Sequence, residues 1–425
     1  MSLKIGTVGL PNVGKSTLFR ALTKKQVDIA NYPFVTIEPN VGIVEVPDER
    51  VEKLAELSKS RKKIHAVVEF VDIAGLVKGA AAGEGLGNKF LSHIKEVDAI
   101  AEVVRIFDDP DILRYQNRVK PVRSPAVSNS KHKSEGEADL RLNPSLNNTT
   151  SLTSNGVNPE EDIKIVELEL ILKDLETVTK RLESIDKQIR GGDKSAPLQK
   201  ELLLKIKTGL EKEETALDVL LREPEEFLNK KEITILLNEL SLLTAKPRIF
   251  VFNGSEKQIT EKWEPNESLN NLIKLGAART FADSRESFPE QKIYAPWILL
   301  CATTEDELSS LVAEEKKEYL KTLGLQESGL DRLIKTAYKT LNLITFLTTG
   351  EDETRAWTIP FGSSAPRAGR AIHSDFEEKF IRAEVIPYEK LIKAGTYARA
   401  RELGWLKTEG KEYIVKDGDV IEFKI

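Results

Sequence analysis

The sequence predicts an α/β domain interrupted by an antiparallel helical hairpin and followed by a small α+β domain. Three observations predict it. An apolar run, Leu3 to Val8, passes directly into a glycine loop, Gly9-Leu10-Pro11-Asn12-Val13-Gly14-Lys15-Ser16-Thr17, and then into a helical stretch, Leu18 to Leu22. Apolar residues spaced alternately three and four apart form a stripe from Leu168 to Ile189, and a similar stripe returns beyond Gly191-Gly192. From Leu341 onward the pattern changes to the two-residue alternation of strands.

The glycine loop is a complete G-x-x-x-x-G-K-[ST] phosphate-binding loop in strand-loop-helix context. Its glycines let successive backbone N–H groups from Asn12, Val13, Gly14, Lys15, Ser16 and Thr17 turn inward around phosphates. The Lys15 ammonium reaches the β/γ-phosphates and the Ser16 hydroxyl ligates Mg²⁺. Such a chain handles a nucleoside triphosphate, and its first domain is expected to be a P-loop NTPase of the G-domain-like kind.

Composition bounds the remaining function classes. At 425 residues with 40% apolar residues the chain has room for two to four domains. The formal charge of −5 leaves nucleic-acid contact to local patches. A single cysteine, Cys301, excludes an intramolecular disulfide, and four scattered histidines argue against a metal cluster. With no apolar segment of spanning length and no signal peptide before Lys4, a cytoplasmic protein without membrane contact is expected.

Two segments follow in the order of a nucleotide switch. Asn31-Tyr32-Pro33-Phe34-Val35-Thr36 offers Thr36 as a second Mg²⁺ ligand, with an N–H for the γ-phosphate. The apolar strand Ala66 to Val71 ends in Asp72-Ile73-Ala74-Gly75, where Asp72 holds the metal through water and Gly75 offers its N–H to the γ-phosphate. Leu76 stands where Ras-type GTPases carry the glutamine that orients water, and leucine can neither donate nor accept. His93 is the candidate replacement, because imidazole accepts a hydrogen bond near neutral pH. A helix histidine packed on a strand is the equally weighted alternative.

Guanine-selective switches end a strand in N-K-x-D, the aspartate accepting two guanine donors. Here Arg248 to Phe252 ends in Asn253-Gly254-Ser255-Glu256, with the lysine gone and the carboxylate one methylene longer. Loss of that paired geometry favours adenine. Asn253, Gly254 and Glu256 are expected to face the base, with Cys301 and Ala302 supplying backbone contacts beneath it. Asn229-Lys230-Lys231-Glu232 follows no strand and is set aside.

The loop GLPNVGKST, the switch NYPFVTIEPN, the run DIAGLVKGAAAGEGLGNKFLSHI and NGSE together resemble the YchF/Obg-like ATPase family, over almost the whole chain. The resemblance implies ATP preferred over GTP, hydrolysis without the Ras-type glutamine, a catalytic histidine at His93 beside Lys15, and association with ribosomes. It implies K⁺ beside the phosphates at Asn12 in addition to Mg²⁺. An Obg-class GTPase of ribosome assembly and a nucleotide-gated RNA or ribosome adaptor with negligible hydrolysis stay open as alternatives.

Residues 1–160 and 235–340 are assigned to the nucleotide domain, with 111–155 a flexible insert rich in Ser, Asn and charge that departs from the family pattern. Residues 161–234 are expected to form the coiled-coil hairpin: Leu168, Ile171, Leu175, Val178, Leu182, Ile185 and Ile189 face Leu203, Ile206, Leu210, Leu217 and Leu220, a second stripe that Glu213 interrupts. The short turn favours intrachain pairing, hence a monomer, over a dimerising coiled coil. Residues 341–425 resemble a β-grasp (TGS) domain, with Arg355 to Phe361 and Glu412 to Phe423 as strands and a helix around Asp375 to Phe380. Lys379, Arg382, Lys390, Lys393, Arg399, Arg401 and Lys407 give it local positive charge, and the resemblance makes this domain and the hairpin the ribosome- or RNA-contacting parts.

Overall fold

The structure is a computed structural model that describes residues 3–25, 40–73, 95–109, 156–274 and 295–425. Thr36, Gly75, Leu76, His93 and the insert 111–155 lie outside the described residues.

The strand predicted before the glycine loop is β1 (Lys4–Val8), and α1 (Lys15–Lys24) leaves the loop. Then come β2 (Val41–Glu45), α2 (Glu49–Ser58), β3 (Lys62–Ile64), β4 (Val67–Asp72) and β5 (Ala99–Arg105). Beyond the hairpin lie β6 (Arg248–Asn253) and β7 (Trp297–Leu300). Six of these strands form one sheet in the order β2-β4-β1-β5-β6-β7, in which only β2 is antiparallel. Strand order reverses around β1, so the C-terminal ends of β1, β5, β6 and β7 open on one crevice, the usual ligand position of such sheets.

The helical hairpin is unequal. Its first helix runs Pro159–Arg190, started by Asn158 accepting from the Glu161 N–H, and its second runs only Ala196–Leu210. Ile171, Val178 and Ile185 are buried against Leu203, Ile206 and Leu210, as the stripes predict, whereas Leu168 is 37% exposed. The expected second stripe does not continue in one helix. The chain breaks at Glu211 to Thr215, where Glu213 has φ +62°, and Leu217 and Leu220 belong to a separate helix, Ala216–Leu221, capped by Thr215 and Asp218. Three acidic residues in four and a non-glycine left-handed turn end the helix that leucine spacing alone would extend.

The C-terminal residues form a second sheet in the order β11-β10-β12-β8-β9-β3. Its strands are β8 (Leu343–Thr349), β9 (Glu353–Pro360), β10 (Arg382–Pro387), β11 (Lys407–Glu409) and β12 (Asp419–Lys424), joined by β3 from the N-terminal part. The strand expected from Glu412 starts only at Asp419. Before it, Lys416 N–H and Tyr413 OH donate to the Asp419 carboxylate and Gly418 takes φ +82°, which fixes a turn in place of ladder pairing. The helix expected around Asp375 to Phe380 is Ser374–Glu378, with His373 Nδ1 accepting the Asp375 N–H.

The two sheets share one core. Ile5, Leu54, Val68 and Leu333 belong to the same buried cluster as Leu347, Ala356, Ile386 and Val420. β3 lies parallel to β9, Arg50 Nη1 reaches Asp417 at 2.7 Å, and Ser60 Oγ donates to the Gly350 carbonyl at 2.6 Å. Strand β3 was not legible from the pattern, because three residues reading Lys-Lys-Ile carry no alternation. Among the described residues no helix is long and apolar enough to cross a membrane.

Candidate functional site: a phosphate loop and a base crevice

The crevice is a cavity of about 950 Å³. One end is the phosphate loop. Gly9 has φ +143°, and a Cβ there would lie 2.4 Å from the Val103 carbonyl oxygen of β5, so the loop must leave β1 at a glycine. Asn12 has φ +62°, Gly14 φ +97°, and the Gly14 carbonyl accepts the first intrahelical bond, from Leu18 N–H at 2.9 Å. The N-terminus of α1, with its unpaired N–H groups, therefore points into the crevice between Gly14 and Thr17.

Lys15 Nζ donates to the Gly9 and Leu10 carbonyls at 2.7 and 2.8 Å, which curls the side chain over the loop it starts from. Burial lowers its pKa to about 8, against the attraction of Asp72. Asp72, at the end of β4, is raised by burial, with Lys15 opposing. Its Oδ1 is buried and makes no hydrogen bond. A buried carboxylate oxygen without a donor, electrostatically coupled to a lysine, suits a hydrated divalent cation.

The other end is built by the loops after β5, β6 and β7. Asn253 is 4% exposed, and its amide is used twice inside the protein: Nδ2 donates to the Val13 carbonyl and Oδ1 accepts the Ala302 N–H, both at 2.9 Å. The residue expected to face the base thus spends its polar atoms tying the phosphate loop to the loop after β7. A Cβ on Gly14 would lie 2.2 Å from that amide nitrogen, so the tie also dictates the glycine. Gly254 donates its N–H to the Leu300 carbonyl at 2.8 Å.

Glu256 starts a short helix, Glu256–Thr260, whose Ser255 and Gln258 form a capping box. Its Oε1 accepts from Thr304 Oγ1 at 2.8 Å and from Tyr319 OH at 2.9 Å. Cys301 is buried, 3.1 Å from Thr303 Oγ1, and packs in the cluster of Phe250, Phe252 and Leu299. Lys15, Ser16, Thr17, Asn253, Gly254, Glu256, Cys301 and Ala302 all line the same cavity as Asn12 and Gly14, while Val13 lies buried behind it.

The crevice also contains residues that sequence reading missed. Phe107 and Asp108, just beyond β5, form part of the wall, and Arg105 orders them by donating to the Phe107 carbonyl and stacking over its ring at 4.5 Å. Thr303, Thr304 and Glu307 come from the helix after β7. The available signal was positional: they follow parallel strands at their C-terminal ends.

Residues 343–425 match a family model of the YchF GTPase C-terminal part, described as a protein of unknown function, and residues 4–132 match a model described as a 50S ribosome-binding GTPase. A ribosome-binding ATPase YchF of Bacillus subtilis (strain 168) is 43% identical over 424 residues, covering 100% of this chain and 99% of its own. Its namesake in Escherichia coli O157:H7 is 39% identical, with 100% and 99% covered. The solved structure of the Schizosaccharomyces pombe YchF GTPase superposes with a TM-score of 0.75 at 34% identity, covering 100% of this chain and 98% of that one. With sequence likeness and fold likeness both running the full length, the chain belongs to the YchF family.

Proposed function

We propose that this chain is an ATP-hydrolysing nucleotide switch that takes ATP in preference to GTP and binds the ribosome, working in the cytoplasm as a monomer. The observation that carries the base preference is the Glu256 carboxylate. A guanine-selective aspartate must present both oxygens to the base, whereas Glu256 Oε1 already accepts from Thr304 and Tyr319. The names of the full-length relatives support the ribosome-binding ATPase reading.

In this reading residues 1–160 and 235–340 hold the nucleotide, and 161–234 and 341–425 meet the ribosome, its large subunit and RNA included. Lys15 and the N–H groups of Asn12 to Thr17 bind the phosphates. Ser16 and Thr36 would hold Mg²⁺, with Asp72 holding its water. Bound there, the metal would supply charge neutralisation for the phosphate groups. Asn12 is the residue placed to hold K⁺. Gly75 donates its N–H to the γ-phosphate, and His93 positions the water in place of the glutamine that Leu76 lacks. As the water oxygen bonds to the γ-phosphorus the bond to the bridging oxygen breaks, leaving nucleoside diphosphate and phosphate. Asn253 braces the base site, and Gly254, Glu256, Cys301 and Ala302 border the base.

Several of the C-terminal cations are paired within the protein: Lys379 with Asp375 at 2.7 Å, Arg399 with Glu402 at 2.8 Å and Arg401 with Glu384 at 3.1 Å. RNA contact there falls to Arg382, Lys390, Lys393 and Lys407.

The test is calorimetric affinity for non-hydrolysable ATP and GTP analogues in Mg²⁺ and K⁺. ATP tighter by about tenfold, or 1.4 kcal/mol, is expected. Glu256→Asp, which withdraws the carboxylate from Thr304 and Tyr319, is expected to narrow that ratio. GTP tighter in the wild type would instead make an Obg-class GTPase the working assignment, and tight ATP binding without turnover would make the chain an adaptor.

A further inference from the structure

The carboxylate on which the base reading turns is held by residues from two later helices. Glu256 stands at the first position of its own short helix, and its Oε1 accepts from Thr304 Oγ1 at 2.8 Å and from Tyr319 OH at 2.9 Å. Two hydroxyl donors fill the lone pairs of one carboxylate oxygen. No described residue donates to Oε2. Glu256 lines the crevice, so it meets a base with one acceptor oxygen rather than two.

Thr304 belongs to the crevice wall, on the helix Ala302–Leu308. Tyr319 comes from the next helix, Ala313–Thr322, and lines a neighbouring hollow of about 460 Å³ together with Lys24, Asp306 and Leu311. Both helices are tied to α1. Arg20 and Lys24 pair with Asp306 at 2.7 and 2.8 Å, while Asp331 takes Lys25, the residue that closes α1, at 2.6 Å and Lys316 at 3.2 Å. Lys316 lies one turn before Tyr319 on its helix. The two hydroxyls are therefore set in the frame of the helix that begins at the phosphate loop. The bond to Glu256 is the first cause of a raised Tyr319 pKa, which keeps the phenol protonated and donating.

We propose that Thr304 and Tyr319 determine base specificity by occupying Glu256 Oε1, which limits the carboxylate to a base that offers it a single donor group. The pairing edge of guanine carries two donors side by side, the ring N1–H and the exocyclic amine, and one of them would be left without an acceptor. The pairing edge of adenine carries one, the exocyclic amine. A donor stranded in a site is what separates otherwise similar ligands. Tyr319 acts through Glu256 and is a positioning residue. The proposal rests on the ATP-preferring reading given above and names the side chains that produce the preference.

The experiment uses the full-length chain and calorimetry with non-hydrolysable ATP and GTP analogues in Mg²⁺, comparing wild type with Tyr319→Phe, Thr304→Val and the double variant. In the double variant the ATP-to-GTP affinity ratio is expected to narrow from about tenfold to within about twofold, through tighter GTP binding. Tyr319→Phe alone, which removes one oxygen from a partly exposed ring, is expected to narrow the ratio about twofold, and it carries the test if the double variant does not fold. In a Glu256→Ala background Tyr319→Phe is expected to leave the ratio unchanged, as a residue acting through Glu256 must. A persistent effect there would give Tyr319 a contact of its own and overturn the positioning role. A ratio that stays or widens in the double variant, with or without a fall in both affinities, would make the hydroxyls a structural brace and overturn the inference alone. A wild type that binds GTP more tightly would overturn the base reading, and this inference with it.

Discussion

The two ends of the crevice are built by different means. The phosphate end is one continuous segment, Gly9 to Thr17, which presents main-chain N–H groups and a single lysine to the crevice. The base end is assembled from the loops after β5, β6 and β7, and depends on side chains, Asn253 and Glu256, that bond across elements. A segment that binds through its backbone tolerates little change in conformation but reads only phosphate. Side chains gathered from three loops can be altered one at a time, and the proposed function puts the choice of base there, at Glu256.

The largest expected effect breaks the phosphate end. Gly14→Ala puts a Cβ 2.2 Å from the Asn253 amide nitrogen on a residue with φ +97°. Both the left-handed conformation and the contact must give, which displaces the loop and the Asn253 brace together. Loss of ATP and GTP analogue binding by at least about a hundredfold is expected, equally for the two nucleotides, as read by calorimetry. A change in the ATP-to-GTP ratio would show that the two ends are not separable in this way.

Asn253→Ala acts at the joint between the ends. It removes two hydrogen bonds and leaves the Val13 carbonyl and the Ala302 N–H without partners. Buried main-chain groups left unsatisfied cost about 1–3 kcal/mol each, so a loss of about 3 kcal/mol in folding stability is expected. Chemical denaturation checks it. Affinity for both nucleotides should fall in parallel, because the residue braces and does not read; a fall for ATP alone would return it to the base-reading role assigned from the sequence.

The same contrast decides what could be read from the sequence. The phosphate loop was legible because its chemistry needs fixed residue types at fixed spacing within nine consecutive residues. Strands β1, β4 and β6 were legible as apolar runs, each ending in a polar or glycine loop, whereas β5 was not singled out. The role of Asn253 was not, since its partners, Val13 and Ala302, lie 240 and 49 residues away. Phe107 and Asp108 escaped for a related reason: nothing local marks a wall residue until β5 is seen beside β6. The hairpin was predicted by its stripe and the interruption at Glu213 was visible in it, yet the separate helix from Ala216 was missed because Leu217 and Leu220 keep helical spacing across a turn. Strand β3 owes its existence to β9, some 290 residues downstream by register with Glu353 to Arg355, and three residues cannot announce such a partner.

The smallest expected effect sharpens the comparison by titrating the one charged side chain of the phosphate loop. Burial brings Lys15 from an ordinary 10.5 to about 8, with Asp72 pulling the other way. Folded chain therefore binds fewer protons than unfolded chain between those two values, so stability rises with pH across that window and the burial cost is fully felt only below about 8. Nucleotide affinity moves oppositely. Phosphate oxygens favour the ammonium, and above about pH 8 binding must first take up a proton that the free loop has lost. From the fraction protonated, affinity should fall about fourfold between pH 7 and pH 8.5, for ATP and GTP analogues alike. Calorimetry in buffers of differing ionisation enthalpy would show the matching proton uptake. In Lys15→Arg, whose guanidinium stays charged throughout, affinity should not change across that range; a slope that persists there would assign the titration to another group and leave the lysine charged throughout.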